Sequence, residues 1–150
     1  MATSFSEVYD VFMTTVTDYT LVALFNASVP DFETYMQSFI LKAIDDFTAC
    51  DQDLSYTGTE FTNTLSQKNI NMLSLLMKKH WLEKNIDDIK QMNLAVTDKD
   101  FRRYAESNNM REKQNRYILD LEEVSQKLSD YTLKYGISWS DWFAGNFYTP

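Results

Sequence analysis

The sequence predicts an all-α fold, a small helical bundle with one long C-terminal helix and an extended aromatic C-terminal arm. Three observations predict it. Apolar residues recur at steps of three and four through most of the chain, the period of one helix face. Only three Gly and two Pro are present, too few for the tight turns of a sandwich or barrel. With 44% hydrophobic and 15% aromatic residues, 150 residues bury a core of one-domain size. The expected division is a helical domain over 1–136 and an arm over 137–150.

The first helix is expected from Ser6 to about Val16, begun by a serine cap, with Val8, Phe12 and Val16 on one stripe. Asp18 caps a further turn through Leu21, Val22 and Phe25. The stretch Asn26 to Pro30 breaks the chain, because a residue before proline is pushed out of the helical region. Pro30 and Asp31 then open a helix carrying Phe32, Met36, Phe39, Ile40, Ala43, Ile44 and Phe47, ending near Ala49 or Cys50. Asp51 to Thr64 is polar, contains Gly58 and reads as a loop, with only a weak strand signal at Ser55–Thr57.

Ser66 caps the next helix. Its face of Ile70, Leu73, Leu76, Met77, His80 and Trp81 is wide enough to imply burial on more than one side. An end near Lys84 or Asn85 is expected, with one or two further turns marked by Ile86, Ile89 and Met92. Thr97 and Asp100 form a capping signature for a segment with Phe101, Tyr104 and Ala105, which Asn108 or Asn109 interrupts. Beyond it Met110, Gln114, Tyr117, Leu121, Val124, Leu128, Tyr131 and Tyr135 step alternately by four and three. That heptad seam is either the core face of a long helix or a surface for pairing between chains. Gly136 stands at the C-terminal stop position.

The final stretch, Ile137 to Pro150, holds Trp139, Trp142, Phe143, Phe147 and Tyr148 and a single charge, Asp141. Such a segment must be covered. It either folds back on its own core or, the favoured expectation, inserts into a partner groove with its aromatic residues as anchors.

Net charge is -8, which opposes general binding to nucleic-acid phosphates. The charge is segregated: residues 1–66 carry ten acidic groups and one basic group, Lys42, whereas residues 67–150 carry twelve and thirteen. All four arginines, Arg102, Arg103, Arg111 and Arg116, fall within fifteen positions. Either these are two solvated faces, or the halves meet in different copies, with guanidinium forks gripping carboxylates. On the second view the four arginines are the subunit interface.

Reactive constellations are not evident, so no catalytic residue, cofactor site or metal site is assigned and the chain is expected not to be an enzyme. The glycines at 58, 136 and 145 are too isolated for a phosphate loop, a dinucleotide fingerprint or a nucleophile elbow. Asp51-Gln-Asp-Leu-Ser starts like a calcium loop, but Tyr56 and Thr62 occupy the positions that need Gly and a bidentate Glu. One His and one Cys exclude a zinc cluster within one chain. His80 is expected as a core or edge histidine and Cys50 as a small apolar packing residue. Adjacent carboxylate pairs such as Asp45/Asp46 diverge on a helix. No secretory signal or span of about 20 apolar residues is visible, so a reducing cytoplasm is the expected place of folding.

The order of segments carries a resemblance. A helix ending in Ile40-Leu-Lys-Ala-Ile-Asp-Asp-Phe-Thr-Ala-Cys50 is followed by a polar loop, then by Asn69-Ile-Asn-Met-Leu-Ser-Leu-Leu-Met-Lys-Lys-His-Trp-Leu-Glu-Lys84. Next come Lys99-Asp-Phe-Arg-Arg-Tyr-Ala-Glu-Ser-Asn-Asn109 and a long charged helix. Over roughly residues 30–130 this resembles the small helical head–tail connector, or adaptor, proteins of tailed bacteriophages. The later elements look like neck-region proteins of siphophages and podophages. The resemblance implies a structural virion protein at the neck, made in the host bacterial cytoplasm. It implies a homo-oligomeric ring, usually of about twelve copies, beneath the portal protein, contacting tail or stopper proteins and passing DNA without specific binding. In that family terminal segments form arms that wedge into the portal, which makes Trp139, Trp142, Phe143, Phe147 and Tyr148 the docking arm here. The motifs are packing patterns, and the aromatic tail departs from the family pattern.

An acidic ring suits a DNA channel, since cationic walls would hold the phosphates. The alternatives are a tail-assembly or tail-completion protein of the same virion, or an acidic DNA-mimicking regulator of a host enzyme. The basic stretch Lys99 to Arg116 argues against the latter.

Overall fold

The computed structural model describes residues 1–95 and 101–135, with the helical backbone alone for 92–95, 101–107 and 135. Five helices and one two-stranded hairpin make up this part: α1 (Phe5–Thr15), α2 (Tyr19–Ala27), α3 (Val29–Asp46), β1 (Tyr56–Thr57), β2 (Glu60–Phe61), α4 (Gln67–Ala95) and α5 (Phe101–Tyr135). The all-α class holds. The expected cap at Thr97 and Asp100, the stop at Gly136 and the arm over 137–150 lie outside the described residues.

Each helix starts where its local chemistry directs. Glu7 on α1 reaches back to accept the Ser4 N–H at 3.1 Å, so the cap is Ser4 and the helix begins one residue before the expected Ser6. Asp18 caps α2, accepting from the Thr20 N–H at 2.8 Å and its hydroxyl at 2.6 Å. Ser66 caps α4, its hydroxyl accepting from the Asn69 N–H at 3.3 Å.

The expected break before Pro30 is reduced to one residue. Ser28, with φ -159° and ψ 107°, ends α2 and caps α3, and Val29 is helical despite preceding proline. The first turn tolerates this arrangement because its N–H groups have no intrahelical acceptor, so proline removes no bond there. At the other end, α3 stops at Asp46, short of the expected Ala49 or Cys50.

α4 is the central element. α1, α3 and α5 all pack on it, while α2 packs on α3. Burial of Met72, Leu73, Ser74, Leu76 and Met77 in near-continuous sequence is the signature of a helix enclosed on two sides, as its wide apolar face predicted. This enclosure carries α4 unbroken past Asn85 to Ala95. α5 likewise runs without interruption through Asn108 and Asn109.

The heptad seam resolves into the core. Val124 and Tyr131 are buried, and Tyr117, Leu121 and Leu128 pack partly buried against the same cluster. The Tyr117 ring meets Trp81 of α4 edge-on at 5.6 Å, and Tyr131 meets Phe47 at 5.2 Å. Pairing between chains through this seam is therefore set aside, because the seam is already occupied by its own chain.

The segment expected as loop is tied down. Gly58, at φ +64°, turns the hairpin so that Tyr56 pairs with Phe61 and Thr57 with Glu60. The segment before α1 lies along the hairpin, with Phe61 N–H donating to Thr3 O and Phe5 N–H to Thr59 O, both at 2.9 Å. Farther along, Asn69 of α4, fully buried, donates to Asp51 Oδ1 at 2.8 Å and to Gln52 Oε1 at 2.7 Å. Alternation is absent from strands of two residues, so no periodicity announced them.

Candidate interaction surface

α2 is an apolar helix left largely bare. Of its residues only Leu21 is fully buried. Tyr19, Val22, Phe25 and neighbouring Val29 are 84%, 45%, 46% and 43% exposed. From Tyr19 to Pro30 the sequence contains no charged residue. Monomeric proteins seldom leave a contiguous apolar face to water, and one without charge is better suited to a protein surface than to solvent. Phe25 is anchored edge-on against Phe32 of α3, 5.2 Å between centroids, which fixes the face instead of letting it collapse inward.

Beside α2 lies an open cleft of about 870 Å³, within the range of ligand-holding clefts. The α1–α2 turn, α4 and α5 wall it, with Trp81 and Tyr117 in its lining and Tyr19 at the α2 edge. Lys78, Lys113 and Arg116 line it, together with Asp18, Glu112 and Asp120. The Lys113 ammonium lies 5.6 Å from the Tyr117 ring centroid. Among the described residues neither Lys78 nor Arg116 has an ion-pair partner.

The four arginines do not form one cluster. Arg116 lines the cleft; Arg111 is exposed and does not line it. Five residues along a helix place them about 140° apart around the axis. Arg102 and Arg103 fall in the first turn of α5, and their side chains lie outside the described residues. Trp139, Trp142, Phe143, Phe147 and Tyr148 lie outside them as well.

The charge segregation persists in space. Glu7, Asp10, Asp31, Glu33 and Asp45 are all exposed on the α1–α3 layer, where Lys42 is the one basic side chain. That layer and α5 each pack on α4.

The remaining sequence candidates have structural surroundings. His80 sits at the edge of the core, its Nε2 2.6 Å from Asp46 Oδ2 and its Nδ1 3.6 Å from Glu83 Oε2, so both ring nitrogens face carboxylates. Cys50 packs half-buried against the core, and burial pushes its thiol pKa up. Asp51 is held below the usual carboxylate range by hydrogen bonds from Lys68 and Asn69, and Asp53 by bonds from Ser55. The oxygens that resembled a calcium loop are thus committed to protein donors. Among the described residues no group of three or more His, Cys, Asp or Glu is placed to hold a metal ion, and no helix is long and apolar enough to cross a membrane.

Sequence reasoning gave α2 its cap and its apolar positions but not its exposure. The available signal was the uncharged run itself, twelve residues of a chain that is 24% charged. No family model, curated protein or solved structure matches this chain.

Proposed function

We propose that this chain is a non-catalytic assembly subunit, a head–tail adaptor that forms a ring beneath a portal, links capsid to tail and lets DNA pass. The observation that carries the assembly part is the bare, uncharged α2 face bordered by Lys78 and Arg116, which have no ion-pair partner among the described residues. A surface of that make-up is suited to docking protein, with the apolar stripe supplying affinity and the cations supplying orientation. A ring requires a front unlike its back, and an acidic α1–α3 layer unlike the α5 surface, which carries cations as well, suits that requirement. The sequence resemblance supplies the virion location.

Mass spectrometry of purified particles tests this proposal. A copy number near that of the portal protein supports the adaptor, a larger multiple favours a tail-assembly role, and absence favours a regulator of a host enzyme. Reversing Arg102, Arg103, Arg111 and Arg116 to Glu is expected to abolish ring assembly while leaving the helical circular dichroism unchanged. Undiminished incorporation of that variant into particles removes the arginines from the interface.

A further inference from the structure

We propose that α2 and the cleft beside it are the seat of the aromatic segment 137–148 of a neighbouring copy, so that copies join front to back through a donated tail. This rests on the assembly reading above and specifies its contact.

The two surfaces match in kind. The α2 stripe presents Tyr19, Val22, Phe25 and Val29 with no charge along α2, and the cleft beside it adds the half-buried Tyr117 among charged and polar walls. The segment brings five aromatic residues and one carboxylate, Asp141. Burying one against the other removes two apolar surfaces from water at once. Asp141 also supplies the carboxylate that Lys78 and Arg116 lack among the described residues.

Reach favours another copy as the donor of the first part of the tail, Trp139 to Trp142. α5 runs from the Trp81 end of α4, where Tyr117 packs, to the Asn69 end, where Tyr131 packs. From Tyr135 back to Tyr117 is about 27 Å at 1.5 Å per helical residue. A fully extended chain gains at most about 3.5 Å per residue, so Trp139 lies within about 14 Å of Tyr135 and Trp142 within about 25 Å. In its own copy Trp139 and Asp141 fall short of the cleft and Trp142 arrives only if the segment is pulled taut along the whole helix, whereas Phe143, Phe147 and Tyr148 have the length to enter it. α2 lies farther still, beyond the cleft edge at Tyr19. A neighbour whose α5 ends near this cleft delivers both tryptophans without that constraint.

Complementation between two full-length variants tests the proposal. The face variant carries Tyr19→Glu and Val22→Glu, both at exposed positions. The tail variant carries Trp139→Ala, Trp142→Ala and Phe143→Ala. Light scattering after size exclusion reads mass against the 17.6 kDa monomer, and circular dichroism checks that helix content is retained. The wild type is expected to assemble and each variant alone to stay monomeric. Their equimolar mixture is expected to double in mass and stop there, because one intact face meets one intact tail and no second junction remains. If either variant alone assembles like the wild type, or the mixture stays monomeric while the wild type assembles, the tail-to-face contact is wrong although the ring survives. Loss of helix content in the tail variant, with the wild type monomeric, means the tail covers its own core and overturns the proposal. The face variant failing to fold is answered by Tyr19→Glu alone, at the most exposed of these positions.

Discussion

Tyr131 on α5 donates its phenolic hydrogen to Asn69 Oδ1 on α4 at 2.8 Å, joining residues 62 positions apart inside the core. With the two bonds from Asn69 Nδ2 to Asp51 and Gln52, the buried amide is satisfied on both its oxygen and its nitrogen. One side chain thus fastens three segments that no local signal connects: the turn after α3, the first turn of α4 and the last turns of α5.

Tyr131→Phe keeps the ring against Phe47 and removes only the donor. It leaves the Asn69 oxygen buried without a partner, which costs about 1–3 kcal/mol. Asn69→Ala removes three hydrogen bonds at once, to Asp51, Gln52 and Tyr131, and is expected to cost more. Urea denaturation of the single and double variants checks both, and the double variant should be less destabilised than the sum.

Ser74 lies on α4 at 1% exposure, and its hydroxyl has no hydrogen-bond partner among the described residues. A buried hydroxyl that gives up water and gains nothing in return is unfavourable. Ser74→Ala removes it, adds no bulk and improves helix propensity. The variant is expected to match or exceed wild-type stability by up to about 1 kcal/mol, read from the denaturation midpoint. A loss of that size would mean the hydroxyl is bonded.

Gly58 holds φ +64°, and a Cβ built there meets nothing within 4 Å. The cost of Gly58→Ala is therefore backbone strain alone, about 1–2 kcal/mol. Gly58→Asn, which tolerates the left-handed region better, should cost less. Equal losses in the two would show that contacts, not φ, set the penalty.

Stability should fall on the alkaline side. Burial, helped by the Glu33 charge, raises the Tyr9 pKa from 10.0 to about 12. Burial also raises Tyr35 and Cys50 above their ordinary values. In each case the fold favours the protonated form, so the unfolded chain loses its proton first as pH rises. Their contribution is complete below the unfolded pKa values and is lost on passing through the folded ones, for Tyr9 between about 10 and about 12. Tyr9→Phe is expected to flatten the decline of the denaturation midpoint in that interval; an unchanged slope would remove Tyr9 as its source.

Much of this architecture was legible in the residues. The caps at Asp18 and Ser66 and the α5 seam rest on short-range chemistry or on one period, and each is found where the pattern put it. What was illegible depends on partners distant in sequence. Asn85 did not end α4, because Ile86 and Ile89 remain buried and extend the packed helix. Asn108 and Asn109 did not interrupt α5, since residues of weak helix preference are carried by the tertiary contacts flanking them. The hairpin depends on Thr3 meeting Phe61 and Phe5 meeting Thr59 across the chain, which no window of local sequence contains. The α2 surface was hidden for the opposite reason: apolar spacing marks positions able to be buried, and only the arrangement of α1, α3 and α4 decides that most of them are not.

The enclosure of α4 on both sides has a dynamic counterpart in α5, which is fastened mainly along a single stripe while Leu119 and Leu133 look outward. The outer helix packs chiefly on α4 whereas α4 is held by three neighbours, so α5 amides should exchange with deuterium sooner than those of α4. The molecule can then loosen one wall while the other three-helix block keeps its packing, and a subunit that must fit against neighbours during construction gains an element able to adjust without global unfolding.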